Sequence, residues 1–223
     1  MTEEALEHCR GSDTTGKTIT FWQLLRSIGA PLSGRRYKVL SEHLAPLLPH
    51  GASLLDIGCA DGHLSSLIRA ARPDISVLGA EILLYRSRQI PVLLFDGERL
   101  PCPSRAFDAV MLVDVIHHLS EPIPFLREAA RVTRGPIILK DHLAATAVDR
   151  FFLAANDWTG NIPSQVPLPF RYWSREEWHD ALNCAGLRAL SWKEDLPMYR
   201  GWAPWLRGRT LHFLAELEVV RHG

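Results

Sequence analysis

Between residues 53 and 142 the chain repeats one unit: a short apolar run, a tight turn, then an amphipathic segment. The runs are "SLLDIG" (53–58), "ISVLGAE" (75–81), "PVLLFD" (91–96), "AFDAVMLVDV" (106–115) and "PIILKD" (136–141). Near-continuous apolar character at this length suits strands buried on both faces. "HLSSLIRAARP" (63–73) and "PIPFLREAARVTRG" (122–135) carry helical spacing and close on Pro73 and Gly135. Strands alternating with helices predict a parallel sheet covered on both sides.

The flanks are less regular. Helices are expected over 19–29 and 34–51, the second with Tyr37, Leu40, Leu44 and Leu47 on one face. After residue 142, helices are expected over 144–158 and 174–187. The latter opens with Ser174 and has Glu177 three residues later, a capping box. Strands are expected over 188–194 and 211–220, with a proline-rich loop (159–173) and an aromatic loop (195–209) between elements.

A chain of 223 residues is enough for one sizeable α/β domain. Lys plus Arg equals Asp plus Glu at 25 each, so no global positive field draws it to nucleic acid. The acidic start "MTEEALEHCRGSD" does not read as a signal peptide, and no apolar run approaches a membrane span. Cys9, Cys59, Cys102 and Cys184 match no zinc or redox spacing. A cytoplasmic protein with reduced thiols, no nucleic-acid partner and no membrane span is the expectation.

The turns carry the chemistry. In an open parallel sheet, ligands sit outside the carboxyl ends of the strands. The first strand ends at Asp56, and Gly58, Ala60 and Gly62 make the turn. The second ends in Glu81, the third runs into Asp96 and Gly97, and the fourth into Asp114. Acids at four successive strand ends predict one acid-lined crevice. A dinucleotide turn needs G-x-G-x-x-G, whereas here the pattern is G-x-A-x-G beside Asp56. An acidic turn suits a cationic ligand better than a pyrophosphate.

These stretches resemble the class I S-adenosylmethionine-dependent methyltransferases, in the broad group that includes small-molecule enzymes. "LLDIGCADG" is similar to the family's glycine-rich first motif and "GAEI" to its acidic ribose motif. "FDGERLPCPSRAFDAVMLVDVIHHL" and "GPIILKDH" are similar to its later ones. The resemblance implies a Rossmann-like, doubly wound, seven-stranded sheet, mostly parallel with the last strand antiparallel. It also implies a single domain over 1–223. Residues 1–50 would cover the site, 51–142 would form the cofactor core, and 143–223 the substrate-side insertions and final strands.

S-adenosylmethionine is the implied cofactor. Asp56, Gly58, Ala60 and Gly62 would lie at its methionine part, Glu81 at the ribose hydroxyls, and Asp96 with Gly97 at the adenine. Val113 and Asp114 would face the methionine amino group. Ala60 departs from the family's usual glycine.

Methyl transfer from a sulfonium is an in-line displacement that needs alignment and dryness rather than a metal. Should the acceptor have to lose a proton, the candidate bases at the fourth and fifth strand ends are His117, His118, Asp141 and His142. A metal held by "HH" with "KDH" is the less favoured reading, and no metal is expected. The aromatic segments 156–173 and 196–209 would form the pocket for a small, partly apolar methyl acceptor. The alternatives are a catalytically silent cofactor-binding subunit, or less readily a nucleic-acid methyltransferase.

Overall fold

β1 (Ser53–Ile57) lies at the centre of the molecule because all but its first residue are buried, which only a strand covered on both faces allows. The computed structural model describes residues 34–161, 171–194, 196 and 211–220, without the side chains of 155–161. The remaining elements are α1 (34–44), α2 (His63–Ala71), β2 (Ser76–Glu81), β3 (Val92–Leu94) and β4 (Ala109–Val113). They continue with α3 (Pro122–Val132), β5 (Ile137–His142), α4 (Ala147–Asn161), α5 (Arg175–Cys184), β6 (Leu187–Lys193) and β7 (His212–Val219).

The seven strands run in the order β3-β2-β1-β4-β5-β7-β6. β1 to β5 pair in parallel, and β7 is antiparallel to both β5 and β6. The order reverses between β1 and β4, the switch point where this architecture opens its crevice. The seven-stranded, mostly parallel expectation holds.

Period-two alternation sorts the strands into two cores. Leu55, Ile57, Val110, Leu112, Leu139 and Phe213 pack with Phe125, Leu126 and Trp178 of α3 and α5. Leu54, Val77, Met111, Ile138 and Leu214 pack with Leu40, Leu44, Leu64 and Ile68 of α1 and α2. Each fully buried aliphatic side chain contributes about 1.5–3 kcal/mol.

The capping box on α5 is formed in both directions: Ser174 Oγ accepts from Glu177 N–H at 3.2 Å, and Glu177 accepts from Ser174 N–H at 2.7 Å. The expected 34–51 helix ends earlier, at residue 44, with a 3₁₀ turn over Ala45–Leu47. Pro46 has no N–H to continue the helical ladder. The helix expected over 19–29 lies outside the described residues, as do most of the aromatic loop and the N-terminal cover. No described helix is long and apolar enough to cross a membrane.

Candidate active site

The crevice has an acidic half at the ends of β1 to β3. The turn after β1 bends through three left-handed residues, Gly58 (φ 74), Ala60 (φ 50) and Gly62 (φ 76). A Cβ on Gly58 would stand 2.5 Å from Val115, and one on Gly62 2.5 Å from Ile90. Glycine is therefore required at both positions, by sterics as well as by φ. Ala60 adopts the same left-handed region, so the departure from glycine leaves the turn's shape intact. Gly58 N–H donates to Ala80 O at 2.8 Å, which ties the turn to β2.

Asp56 is buried under this turn and accepts from Ser65 Oγ of α2 at 2.7 Å. Burial pushes its carboxyl up to about 7, against the Ser65 bond and helped by the charge of Glu81. Glu81, also buried, accepts from Ala60 N–H and Ile82 N–H, both at 2.8 Å. Its carboxylate thus holds the turn from the β2 side. Asp96 is exposed, and its Oδ1 accepts from Glu98 and Arg99 N–H at 2.9 and 2.8 Å. Those two bonds lower its pKa and shape the loop around Gly97.

The other half of the crevice, at the ends of β4, β5 and β7, is built from cations and imidazoles. Asp114, a left-handed residue just beyond Val113, pairs with both Arg36 of α1 and Lys140 of β5. It does not stand as a lone acid of the crevice; the two cations hold its carboxyl well below its usual range against the opposing effect of burial. Lys140 is fully buried, and its Nζ lies 3.2 Å from Nδ1 of His212.

Next to Lys140 on β5, Asp141 is fully buried and accepts from three donors. These are Ile116 N–H at 2.9 Å, the His117 ring at 2.6 Å and its neighbour His142 N–H at 2.7 Å. Despite burial, the His117 and His142 rings keep its pKa far below the usual range. His142 Nδ1 lies 3.2 Å from His117 Nδ1.

Tyr172 stacks on His117 with ring centres 6.2 Å apart, and Trp178 Nε1 donates to His142 O at 2.9 Å. His118, partly exposed on the same 3₁₀ turn as His117, has its ring 4.0 Å from that neighbour's.

All four candidate bases therefore gather at one strand-end cluster, and the acids fall on neighbouring strands in spatial order. Sequence reading missed Arg36, Lys140, His212 and Ser65, while Tyr172 falls at the end of the aromatic segment 156–173. Lys140 could have been noticed as a charge inside the apolar run "PIILKD". His212 precedes the apolar "FLAEL" with no comparable signal.

A family profile described as a methyltransferase domain matches residues 32–191. The chain belongs to this methyltransferase domain family. It is 36% identical over 110 residues to a probable S-adenosylmethionine-dependent methyltransferase of Mycobacterium tuberculosis, covering 47% of this chain and 40% of that protein. It is 32% identical over 121 residues to the 27-O-demethylrifamycin SV methyltransferase of Amycolatopsis mediterranei, covering 47% and 44%.

A third relative, the tRNA (carboxymethyluridine(34)-5-O)-methyltransferase of Schizosaccharomyces pombe, is 29% identical over 118 residues, half of each chain. The chain spans half or less of the length of these relatives. Among solved structures, a Haloferax volcanii methyltransferase in complex with the activator Trm112 superposes with a TM-score of 0.64. That match covers 89% of this chain and 97% of the other at 16% identity, and so speaks to the fold.

S-adenosylmethionine is the cofactor that goes with this family, and the acidic half fits it. The glycines at 58 and 62 let the turn pack directly against Val115 and Ile90, where a Cβ would clash. Asp56 and Glu81 lie beside this turn as buried carboxyl groups, a donor set compatible with a positively charged ligand.

Proposed function

We propose that this methyltransferase-family chain transfers a methyl group from S-adenosylmethionine to a small, partly apolar molecule. The observation that carries the reading is the division of the crevice. A glycine turn and buried acids stand at one side, and a buried imidazole–carboxylate cluster stands beside the switch point at the other. The sulfonium supplies an electrophilic methyl group when bound. The chain's own work is to bind, orient and dry.

On the cofactor side, Asp56, Gly58, Ala60, Gly62 and Glu81 are assigned to the methionine and ribose parts. Asp96 and Gly97 are assigned to the adenine, and Val113 with Asp114 to the inner wall. Ribose hydroxyls would exchange with the backbone donors that Glu81 holds at Ala60 and Ile82. On the acceptor side, His117, His118, Asp141 and His142 are assigned to activation. Asp141 orients the His117 ring through its Nδ1, as a buried carboxylate fixes an imidazole tautomer. Tyr172 closes that side with a flat face suited to an apolar acceptor.

Equal numbers of positive and negative side chains support a small acceptor over RNA, whose phosphates call for cationic contacts. The relative that methylates a tRNA makes RNA the competing class. Incubating the chain with methyl-labelled S-adenosylmethionine and a cell extract, then separating metabolites, RNA and protein, decides between them. Label in an organic-extractable small molecule is expected. Label in RNA overturns the acceptor class, and absence of cofactor binding by calorimetry overturns the activity.

A further inference from the structure

Two overlapping groups at the crevice bring three potential metal-ligating atoms together: Asp114, His142 and His212, and His117, Asp141 and His142. In the first, a cation is already in place, because Lys140 Nζ bonds Asp114 and sits 3.2 Å from His212 Nδ1. The second is different. Asp141 is fully buried, and among the described residues its carboxylate is met only by backbone N–H groups and the two imidazoles. A buried negative charge is ordinarily offset by a counter-charge or a metal. Among the described residues no arginine or lysine hydrogen-bonds this carboxylate, and its side-chain partners are the two imidazoles.

The three donor atoms are mutually close: 2.6 Å from His117 Nδ1 to Asp141 Oδ1, 3.2 Å between the two Nδ1 atoms, and 3.5 Å from His142 Nδ1 to Asp141 Oδ1. A triangle of these sides has a point roughly 2 Å from every corner, slightly out of its plane, and that is the bond length of a divalent transition ion to imidazole and carboxylate. We propose that His117, Asp141 and His142 bind one divalent transition-metal ion. Two histidines and one carboxylate make a site with open positions on the ion.

Binding forms two metal–nitrogen bonds and one metal–oxygen bond. It expels to solvent the Nδ1 proton that otherwise lies between His117 and Asp141. The supports are in place beforehand: Ile116 N–H holds the second oxygen of Asp141, and Trp178 Nε1 holds the backbone oxygen of His142. The positive charge of Lys140 nearby is offset by Asp114. The site is read from ligand geometry, and it uses the same His117, Asp141 and His142 assigned above to acceptor activation, with the ion replacing the proton between His117 and Asp141. It departs from the metal-free expectation of the sequence.

The test uses the full chain, stripped with a chelator, equilibrated with Zn2+ or Co2+, gel-filtered and assayed by mass spectrometry of the metal. About one ion per chain is expected, with visible d–d bands for Co2+ that Zn2+ abolishes. His117→Ala and His142→Ala are expected to weaken binding at least about tenfold, while His212→Ala retains it. Circular dichroism confirms that each variant is folded. The wild-type Co2+ spectrum provides a readout that no substitution can disturb.

Folded wild-type chain holding less than about a tenth of an ion at micromolar Zn2+ overturns the site, as does full occupancy in both folded single variants. Calorimetry with S-adenosylmethionine on the same samples keeps the two readings apart. Cofactor bound without metal ends this proposal alone, and metal bound without cofactor ends the functional one alone.

Discussion

The two halves of the crevice solve opposite electrostatic problems. Around β1 and β2, two buried carboxyl groups share a turn with no cation among the described residues hydrogen-bonded to either, and the cost appears as the Asp56 pKa near 7. Around β4, β5 and β7, buried acids are met by Arg36, Lys140 and imidazoles, and their pKa values fall. An under-compensated acidic half is suited to a cationic ligand. A half whose charges are already matched internally is suited to holding and activating a neutral one. The contrast lies in which partners the fold supplies, since both halves have acids at strand ends.

The largest expected effect tests the matched half. Asp141→Ala strips the acceptor from His117, Ile116 N–H and His142 N–H within the core. Removing one member of such a buried network costs about 3–5 kcal/mol. Denaturant unfolding is expected to show this loss, with Asp141→Asn appreciably milder because its amide oxygen still accepts. A change under about 1 kcal/mol for the alanine variant means the cluster is not the buried network described.

Next comes Glu81→Ala. It is expected to weaken S-adenosylmethionine by about 1–3 kcal/mol, the range for charge-assisted hydrogen bonds. Because Glu81 also holds Ala60 and Ile82 N–H, some loss of thermal stability should accompany it, unlike for a strand-end acid that serves the ligand only. Calorimetry and a melting curve on the same variant read the two effects separately. Unchanged affinity removes Glu81 from the cofactor site.

The acidic half was largely legible in the sequence because its parts are close along the chain. Asp56, Gly58, Gly62 and Glu81 fall within one strand–turn–helix–strand unit, and small residues beside an acid at a strand end announce a ligand turn. The other half is made by long-range contacts. Arg36 reaches Asp114 across 78 residues, and Lys140 meets His212 across 72. No local pattern encodes such a meeting. "HH" and "KDH" could be flagged as chemistry, but not that His117 and His142 would share Asp141. The aromatic segment 156–173 was expected over the acceptor. Tyr172 at its end does lie against the histidines, whereas Trp173 packs edge-on to the core Trp178.

A smaller effect comes from pH. The unfolded chain loses the Asp56 proton around 3.8, while the folded protein keeps it to about 7. The folded state therefore binds more protons between those values, and stability from this group falls as pH rises through that window. The stabilisation is complete below the unfolded value and gone above the folded one. Asp56→Asn, which cannot ionise, should remove this component. The difference in melting temperature between wild type and variant is expected to change between pH 5 and pH 8 in the variant's favour at the higher pH. A pH-independent difference means that Asp56 titrates normally.

The smallest expected effect concerns Ala60, and it tests the turn on which the acidic half is built. A non-glycine residue in the left-handed region costs about 1–2 kcal/mol relative to glycine. Ala60, at φ 50, carries that strain. Glycine would relieve it but loses about 0.5–1 kcal/mol through the greater freedom of the unfolded chain. The two effects nearly cancel, so Ala60→Gly should alter unfolding free energy by no more than about 1 kcal/mol, in the stabilising direction. The backbone N–H that Glu81 holds is unaffected by the change, so cofactor affinity should stay within about twofold. A clear destabilisation would place Ala60 in an ordinary right-handed or extended conformation, where glycine brings only its entropic cost. The three left-handed residues of the turn would then be two. The contrast with the β4–β5 half would then rest on charge alone.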